Sequence, residues 1–371
     1  MGRQILAVNP GSTSTKIALY EETREVWKKN VSHPAADLAV FRKLMDQLEF
    51  RASAVRESIR AESGMDPARL RAVVGRGGLL KPLPGGVYEV SPRMKDDLAS
   101  CRYGTHASNL GALIADSLAK ELGVKAYIVD PVVVDELDEL ARYSGLPEIP
   151  RRSIFHALNH KATGKKAARS LGKPYQECAL IVAHMGGGTS IGVHVRGKVV
   201  DVNNALDGEG PLSIERAGTL PAGDWMRYVL SHQGEPQDLQ LKLTGKGGLV
   251  AYLGTNDFKE MEKAAGGMIS GAASTSGAAL DGGLSARLIA VLGYQISKSI
   301  AALSAVVGGR LDAVVLTGGL AFSANVVEDI TRRVSFLAPI LVFPGENELE
   351  ALAIGVLETL DGAAETLTYG G

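Results

Sequence analysis

The sequence has few cysteines and aromatic residues, and neither charge is in excess. Its two cysteines, Cys101 and Cys178, form neither a C-x-x-C nor a Cys/His metal pattern, which argues against a structural zinc site and a disulfide scaffold. The 40 basic and 41 acidic residues nearly cancel, and no long basic run occurs. Nucleic acid and acidic membrane surfaces are therefore not expected as partners.

An apolar span of 18 residues is also lacking, and the first strand-like segment begins after only four residues. We therefore expect no membrane span and no signal peptide. Together with the low cysteine content, this predicts a cytoplasmic protein.

Length and glycine content point instead to an α/β enzyme. The 371 residues exceed the size at which a single core usually keeps growing, so two domains are expected. We predict an N-terminal α/β domain over residues 1–150, completed by residues 345–371, and a C-terminal nucleotide-binding α/β domain over residues 151–344. Many of the 44 glycines cluster between apolar runs, where tight turns or a nearby ligand require them.

A Gly/Ser/Thr loop near the N-terminus is the first candidate binding site. It reads NPGSTSTK over residues 9–16 and lies between strand-like residues 5–8 and 17–20, which predicts a β-hairpin. Backbone N–H groups, small hydroxyls and one lysine suit the phosphates of a nucleotide. The Walker spacing is absent. Taken alone, the loop is equally compatible with an ordinary Ser/Thr-rich turn.

Two later glycine loops follow a similar plan. Residues 179–183 predict a strand leading into HMGGGTS at residues 184–190, followed by a hairpin over residues 191–195 and 198–202. Residues 313–316 predict a strand before Thr317, Gly318 and Gly319, with a helix over about 325–334. A glycine turn that only packs a helix is the alternative for Gly318 and Gly319. The repeated strand, loop and strand predict a duplicated fold with a cleft between its halves.

Residues 264–285 are dominated by glycine, alanine and serine. We predict a flexible insertion or surface loop there, with a small-residue helix as the alternative, before a clear helix at about 288–303.

In this order, the motifs resemble the acetokinase family of the actin, hexokinase and Hsp70-like superfamily, and most closely its butyrate branch. The matching segments are NPGSTSTK (9–16), VGRGGLLKP (74–82), HASNLG (106–111), DPVVVDEL (130–137), SIFHALNH (153–160), HMGGGTS (184–190), NALDGEGP (204–211) and LTGGL (316–320). They extend through nearly the whole chain. The resemblance implies a two-domain duplicated ribonuclease-H-like α/β fold with an interdomain active-site cleft.

The activity implied by the resemblance is carboxylate phosphorylation: ATP and a short-chain fatty acid give an acyl phosphate and ADP, reversibly, with Mg²⁺. The substrate carboxylate is itself the nucleophile, so no general base has to remove a proton. The protein has to supply positive charge around the phosphoryl group and alignment of the two oxygens.

The resemblance assigns the first loop to ATP and magnesium. Asn9, Ser12, Ser14 and Lys16 are expected to contact the phosphates or the waters of a bound Mg²⁺, and Asn9 and Glu348 to hold the metal. One carboxylate is sufficient, because Mg²⁺ keeps several waters and binds phosphate oxygens. The implied walls of the adenosine and phosphate site are His184, Gly186, Gly187, Gly188, Gly318 and Gly319.

Three further residues are implied in catalysis. Arg216 resembles the arginine that binds the carboxylate and the transferring phosphoryl group, a task suited to a planar guanidinium. His184 matches a histidine that stabilises the phosphoryl oxygens in the transition state. His156 is placed near the active site, and His160, four residues on along a predicted helix, would orient it. Their spacing alone also allows a zinc pair, but no third ligand is evident.

Asp130 corresponds to an aspartate that positions an arginine. The chain departs here from acetate kinase, because it has Val73 where that enzyme has the arginine and carries Arg76 directly before a glycine pair. We predict an Asp130–Arg76 pair that binds the carboxylate, with His106 near the substrate.

The sequence leaves several alternatives open for the substrate and the function. The preferred acid could be isobutyrate, propionate or acetate, because one methylene separates acids by only about 1–3 kcal/mol. A nucleotide-dependent regulator could use the same fold without an acid. A sugar or polyol kinase would need an aspartate base, for which Asp130 and Asp207 are the candidates. By family analogy, we expect a homo-oligomer, a dimer or larger.

Overall fold

The computed structural model describes residues 2–266 and 280–370. Backbone contacts divide the chain into two units. The first contains the residues up to Asp135, with Ala157–Asn159 and those from Asn347 onward; the second contains Glu136–His156 and His160–Glu346. The domain boundaries predicted at residues 150/151 and 344/345 stay a prediction.

Strands and helices alternate along much of the chain. The strands are β1 (Gln4–Pro10), β2 (Ser14–Glu21), β3 (Arg24–Ser32), β4 (Leu70–Arg76), β5 (Val87–Glu89), β6 (Lys125–Val129), β7 (Ala179–Met185), β8 (Thr189–Val195), β9 (Lys198–Val202), β10 (Ala313–Gly318), β11 (Ile340–Pro344) and β12 (Thr366–Leu367). The helices are α1 (Ala35–Leu38), α2 (Leu48–Glu62), α3 (Pro92–Ala99), α4 (Asn109–Leu122), α5 (Ala157–Ser170), α6 (Ala222–Ser231), α7 (Pro236–Thr244), α8 (Gly248–Leu253), α9 (Phe258–Ala265), α10 (Gly282–Ser304), α11 (Ala324–Val334) and α12 (Glu348–Leu360).

Each unit contains one sheet, and five strands of the first sheet follow the same order as the five strands of the second. Within the described residues, the first sheet runs β12-β5-β6-β4-β1-β2-β3 and the second β11-β10-β7-β8-β9. In both, three consecutive strands pair antiparallel, and two later strands add parallel to the first of them. This repeat confirms the predicted duplicated α/β fold.

The first sheet is covered by helices on both faces. Ile5 and Ala7 of β1 pack in a core with α12, whereas Leu6 and Val8 pack in a core with α2 and α4. Successive residues of a strand point to opposite faces, so a strand buried on both sides is a continuous apolar run. This explains the unbroken apolar segment that opens the chain.

The central strand of the second sheet is buried in the same way. Ile181 and Ala183 of β7 pack in a core with α10 and α11, and Leu180 and Val182 pack with Ala167 of α5. The ends of β7 and β10 are therefore fixed by packing on both sides.

Helix α10 is the longest helix among the described residues. With the turn that follows it, the segment Gly282–Val307 is long and apolar enough to cross a membrane, with a mean hydropathy of 1.4 over its best window. Leu288, Leu292, Ile296 and Ile300 form one stripe of this helix in the core of the second unit. Packing against the sheet accounts for that stripe.

The predicted helix at 288–303 corresponds to α10, which begins earlier. The Asp281 carboxylate caps it by accepting hydrogen bonds from the backbone N–H groups of Gly283 and Leu284. Within the segment predicted as a loop or small-residue helix, α9 ends at Ala265. Residues 267–279 of that segment lie outside the described residues.

Candidate active site

In the first unit, three parallel strands end at the same edge of the sheet. Val8 of β1 pairs with Gly75 of β4, and Arg76 pairs with Val129 of β6. Asn9, Arg76 and Asp130 therefore follow one another across the carboxyl ends of neighbouring strands. In α/β sheets, this edge is where ligands bind.

The first Gly/Ser/Thr loop connects β1 and β2 as the predicted hairpin. The Gly11 N–H donates to the Ser14 carbonyl oxygen at 2.7 Å, and Asn9 lies opposite Lys16. Because Ala18 of β2 packs with α12, Ser14 and Lys16 lie on that face too. Ser12 and Lys16 are exposed. Within residues 2–266 and 280–370, Lys16 forms no ion pair, so its ammonium is available to an anion.

Glu348 begins α12 and joins the ends of β1 and β4. The Asn9 amide Nδ2 donates to Glu348 Oε2 at 2.5 Å, and Arg76 Nη1 lies 2.7 Å from Oε1 and 2.8 Å from Oε2. Glu348 is buried, with 8% of its surface exposed. Arg76 thus pairs with Glu348, whereas the sequence predicted a pair with Asp130.

The residues at this edge fit a magnesium ion that is held mainly by the nucleotide. Among the described residues, no group of three or more His, Cys, Asp or Glu side chains converges on a metal position. Mg²⁺ usually takes one or two carboxylates and completes its shell with waters and phosphate oxygens. Glu348 offers one carboxylate, and Asn9 offers an amide oxygen because it bonds Glu348 through its nitrogen. This donor set suits a metal that arrives with ATP.

Asp130 is held rigidly just after β6. Its backbone has a φ of 37°, an uncommon conformation outside glycine, and it exchanges hydrogen bonds with Gly86. Its N–H donates to the Gly86 carbonyl at 3.0 Å, and its Oδ1 accepts from the Gly86 N–H at 2.7 Å. Strained residues of this kind concentrate at functional sites.

His106 lies at the entrance to α4, next to the segment that follows Arg76. Its Nδ1 accepts from the Ser108 N–H at 3.2 Å. Asn109 Oδ1 accepts from the Leu79 N–H at 2.8 Å and thereby ties the start of α4 to that segment. His106 is exposed. Asp207, the other aspartate considered as a base, accepts from Arg152 at 2.7 Å and from Asn204 at 3.1 Å.

Arg51 supports the first loop and was not predicted from the sequence. Its guanidinium lies under the hairpin and donates to three backbone carbonyls, those of Gly11 at 2.8 Å, Ser12 at 2.6 Å and Ser14 at 3.3 Å. It is 1% exposed, and burial lowers its pKa, although an arginine stays protonated. A charged residue on the buried side of α2, one turn before Val55, is the signal in the sequence that could have revealed it.

A buried histidine supports the same hairpin beside Arg51. His33 Nε2 lies 2.9 Å from Thr15 Oγ1, and its backbone N–H donates to the Thr13 carbonyl at 2.8 Å. Burial, followed by the charge of Arg51, lowers the pKa of His33 to about 4. The imidazole is therefore neutral under physiological conditions.

In the second unit, the ends of β7, β10 and β11 form a corresponding edge. His184 pairs with Thr317, and Gly318 with Pro344. Gly318 has a φ of 86°, and a Cβ there would lie 2.4 Å from the Met185 carbonyl oxygen, so this close approach requires glycine. A Cβ on Gly319 would meet nothing within 4 Å. Packing therefore requires glycine at position 318, whereas Gly319 leaves open space beside its backbone.

The loop of Gly186, Gly187 and Gly188 also leaves space beside its backbone. No atom outside the loop's immediate neighbours lies closer than 3.3 Å to a Cβ built on any of the three. Packing within the unit does not demand glycine there. Because packing does not require glycine at these positions, the open space suits the close approach of a ligand such as a phosphate.

Three side chains predicted for catalysis gather around this loop. The His156 and His184 rings stack with centroids 3.8 Å apart and planes inclined by 12°. A Cβ on Gly188 would lie 3.6 Å from His156 Cε1 and 3.7 Å from Arg216 Cγ. Glu346 Oε1 lies 3.6 Å from His184 Nε2. The second unit thus places two imidazoles and one guanidinium beside one glycine loop.

The guanidinium of Arg216 is held by contacts to Thr244 and Glu215. Its Nη1 donates to the Thr244 carbonyl and lies 3.7 Å from Glu215 Oε2. Burial lowers the pKa of Arg216, while Glu215 raises it. Its Nε is buried and has no hydrogen-bond partner among the described residues. Such a guanidinium keeps donor capacity for an oxyanion.

A duplicated sheet with a phosphate-type loop at the strand ends of each half fits a nucleotide-binding protein of the actin- and hexokinase-like fold. The model of the acetokinase family matches residues 148–341. The chain is 49% identical to a protein named probable butyrate kinase from Coprothermobacter proteolyticus over 371 residues, all of both chains. It is 45% identical to butyrate kinase 2 of Clostridium acetobutylicum over 367 residues, 99% of each. The chain belongs to the acetokinase family and is a carboxylate kinase that uses ATP.

Solved structures agree on the fold. Porphyromonas gingivalis acetate kinase superposes with a TM-score of 0.72 at 17% identity, covering 96% of this chain and 99% of the other. A propionate kinase from Francisella tularensis superposes with a TM-score of 0.70 at 18% identity, covering 95% and 98%. At such low identity, these likenesses support the fold alone. Family membership sets aside the alternatives of a nucleotide-dependent regulator and a sugar kinase.

Proposed function

We propose that this kinase transfers the γ-phosphoryl group of ATP to butyrate and forms butyryl phosphate and ADP in the presence of Mg²⁺. The observation that carries the proposal is the pair of full-length relatives, 45% and 49% identical, that are named as butyrate kinases. A carboxylate oxygen of the acid attacks the γ-phosphorus, and the bond from that phosphorus to the bridging oxygen of ADP breaks. No proton moves in this step, so the protein contributes charge and alignment.

In this proposal, the first unit binds the phosphates, the metal and the acid. The exposed ammonium of Lys16 and the hydroxyls of Ser12 and Ser14 meet the phosphates, while Arg51 holds their loop in shape. Glu348 and Asn9 contribute to the magnesium shell, whose charge offsets that of the phosphates. Arg76, Asp130 and His106 are assigned to the acid, which agrees with their positions at and beside the carboxyl ends of β4 and β6.

The second unit supplies the groups that act on the transferring phosphoryl. Arg216 offers a half-buried guanidinium with unused donor capacity at Nε, and His184 and His156 offer imidazole donors beside the glycine loop. Such donors stabilise the charge on the equatorial oxygens in the transition state. The N–H groups of Gly186, Gly187 and Gly188 are assigned to phosphate oxygens, and Gly318 and Gly319 to the nucleoside.

The chain length of the acid is the part of the proposal that is open to direct measurement. We expect MgATP-dependent hydroxamate formation to show its highest kcat/KM with butyrate when acetate, propionate, butyrate and isobutyrate are compared. Neighbouring acids should remain active, because one methylene is worth only about 1–3 kcal/mol. The highest kcat/KM with acetate, propionate or isobutyrate would overturn the butyrate assignment while leaving carboxylate phosphorylation intact.

We also propose a homo-oligomer, a dimer or larger, that works in the cytoplasm. Helix α6 has no buried residue, and it exposes Met226 and Leu230, as expected of a surface that another copy covers. The cysteines Cys101 and Cys178 are free thiols, as in a reducing compartment. Light scattering of the purified protein should give a multiple of the 39.0 kDa chain mass, and a monomer at micromolar concentration would contradict the assignment.

A further inference from the structure

A chain of hydrogen-bonded side chains crosses the interior of the second unit and ends at His156. Tyr175 OH lies 2.8 Å from His194 Nδ1, and His194 Nε2 lies 3.2 Å from His160 Nδ1. His160 Nε2 lies 2.9 Å from Ser190 Oγ, which lies 2.9 Å from His156 Nδ1. The residues come from separate parts of the sequence and join only in the fold. We call these five residues the histidine relay.

The interior of the histidine relay is buried and carries no charge. His160, His194 and Ser190 are fully buried. Burial, with the nearby rings of His194 and His184, holds the pKa of His160 well below its usual range. Burial and the charge of Lys161 lower the pKa of His194 to about 3. Near neutral pH, each of the two rings therefore carries a single N–H.

One carbonyl group sets the direction of the hydrogen bonds. The Ser190 carbonyl oxygen lies 3.2 Å from His160 Nε2, and a carbonyl can only accept. The proton of His160 is therefore on Nε2, and its Nδ1 accepts from the Nε2–H of His194. The Nδ1 of His194 is then an acceptor as well, and the Tyr175 hydroxyl donates to it.

Ser190 links the hydrogen-bond direction of His160 to His156. The Ser190 hydroxyl oxygen accepts the Nε2–H of His160, and within the described residues its remaining contact is His156 Nδ1. The hydroxyl proton therefore points at that nitrogen, which acts as an acceptor. A neutral His156 then carries its own proton on Nε2.

We propose that Tyr175, His194, His160 and Ser190 are positioning residues that fix the tautomer of His156, so that its Nε2 carries the proton beside the glycine loop. The opposite tautomer would aim a nitrogen lone pair where the Nε2–H now points, and a lone pair repels a phosphoryl oxygen. That tautomer would also leave the Ser190 hydroxyl proton without its acceptor, because Ser190 Oγ would then accept from both His156 and His160. The catalytic consequence rests on the proposed function, whereas the tautomer itself does not.

The unmodified protein tests the tautomer first. Full-length protein labelled with ¹⁵N in its seven histidines gives long-range proton–nitrogen spectra that distinguish the two neutral tautomers, and His156→Gln identifies the His156 signals. We expect a proton on Nε2 and an acceptor at Nδ1 for His156, His160 and His194. A neutral His156 with its proton on Nδ1 would overturn the proposal.

Two variants at His194, near the other end of the relay, test whether the relay controls the tautomer of His156. His194→Leu removes the donor to His160 and should release His156 into a mixture of tautomers, whereas His194→Gln keeps a donor and should preserve the Nε2–H form. We expect kcat for acyl phosphate formation to fall about 10- to 100-fold in His194→Leu, the effect of a misplaced group, with KM for ATP little changed, and to be largely restored in His194→Gln.

Two outcomes separate this proposal from the proposed function. If His156 keeps the Nε2–H tautomer in a folded His194→Leu protein, the relay does not control it and the inference fails, whatever the activity. If the spectra behave as expected but no acid is phosphorylated, the relay stands and the proposed function fails. Ser190→Ala, which removes the last donor, repeats the test should His194→Leu not fold.

Discussion

Arg76 and Glu348 form an ion pair in the first unit, with Arg76 Nη1 2.7 Å from Glu348 Oε1. The two residues are separated by most of the sequence, and the pair joins the end of β4 to the first turn of α12. A carboxylate at the start of a helix is also favoured by the helix dipole. Glu348 thus holds Arg76 at the strand edge and keeps its carboxylate there.

Replacing Arg76 tests its assignment to the acid. Arg76→Ala should raise KM for butyrate tenfold or more, because a guanidinium is worth about 1.5–3 kcal/mol to a carboxylate, and should change KM for ATP much less. Arg76→Lys keeps the charge and serves as the matched control, with a smaller effect. Steady-state kinetics with each substrate varied in turn gives both constants. An unchanged KM for butyrate in Arg76→Ala would remove Arg76 from the acid site.

Removing the arginine beneath the first loop should weaken nucleotide binding from a distance. Arg51→Met removes the side-chain donor to the carbonyls of Gly11, Ser12 and Ser14, of which Ser14 keeps the Gly11 N–H, and an unsatisfied buried group costs about 1–3 kcal/mol. We expect a lower free energy of unfolding and an increase of about tenfold in KM for ATP. Arg60→Met alters an exposed arginine of the same helix and should change neither. Normal KM for ATP in a folded Arg51→Met protein would show that the loop needs no such support.

Lys16 should affect ATP binding without affecting stability. Its ammonium is exposed and forms no ion pair within the described parts of the chain, so Lys16→Met should change the free energy of unfolding by less than about 0.5 kcal/mol. KM for ATP should rise about 10- to 100-fold, because a charge-assisted contact to phosphate is lost. Lys28→Met on β3 is the control lysine. Equal KM values for ATP in the two variants would refute the role of Lys16.

The buried neutral histidine beneath the loop predicts a dependence of stability on pH. The pKa of His33 falls from 6.5 to about 4 on folding, so below pH 6.5 the unfolded chain binds a proton that the folded chain does not. Stability is therefore complete above pH 6.5 and decreases as the pH falls towards 4, by up to about 3 kcal/mol from this residue. Urea unfolding of the wild type and His33→Gln over this range isolates the contribution. Parallel pH profiles for the two proteins would contradict it.

Local sequence patterns predicted the repeated elements well. The hairpin at residues 9–16 and the glycine loop after β7 both depend on neighbours in the sequence. The charged segment at about 37–63 has helical spacing, and the structure divides it into α1 and α2, separated by residues 39–47. Hydrophobic spacing identifies helices more reliably than their ends.

Long-range contacts account for what the sequence did not reveal. Arg76 contacts Glu348, because α12 returns to the same sheet edge, while the Asp130–Arg76 pair stays a prediction. His156 and His160 were predicted on one helix face, yet His156 precedes α5 and the two meet through Ser190 of β8. Tyr175 and His194 carry no local signal of a shared network. Such partners become visible only once the strands are placed.

The fate of a labelled carboxylate oxygen tests the central claim most directly. Butyrate with oxygen-18 in its carboxyl group is incubated with the protein and MgATP, and the product is trapped with hydroxylamine. If the carboxylate attacks the γ-phosphorus, ADP and hydroxamate form in equal amounts, and the phosphate released by hydroxylamine carries one oxygen-18. ADP formation independent of butyrate, or phosphate without oxygen-18, would contradict direct transfer to the acid.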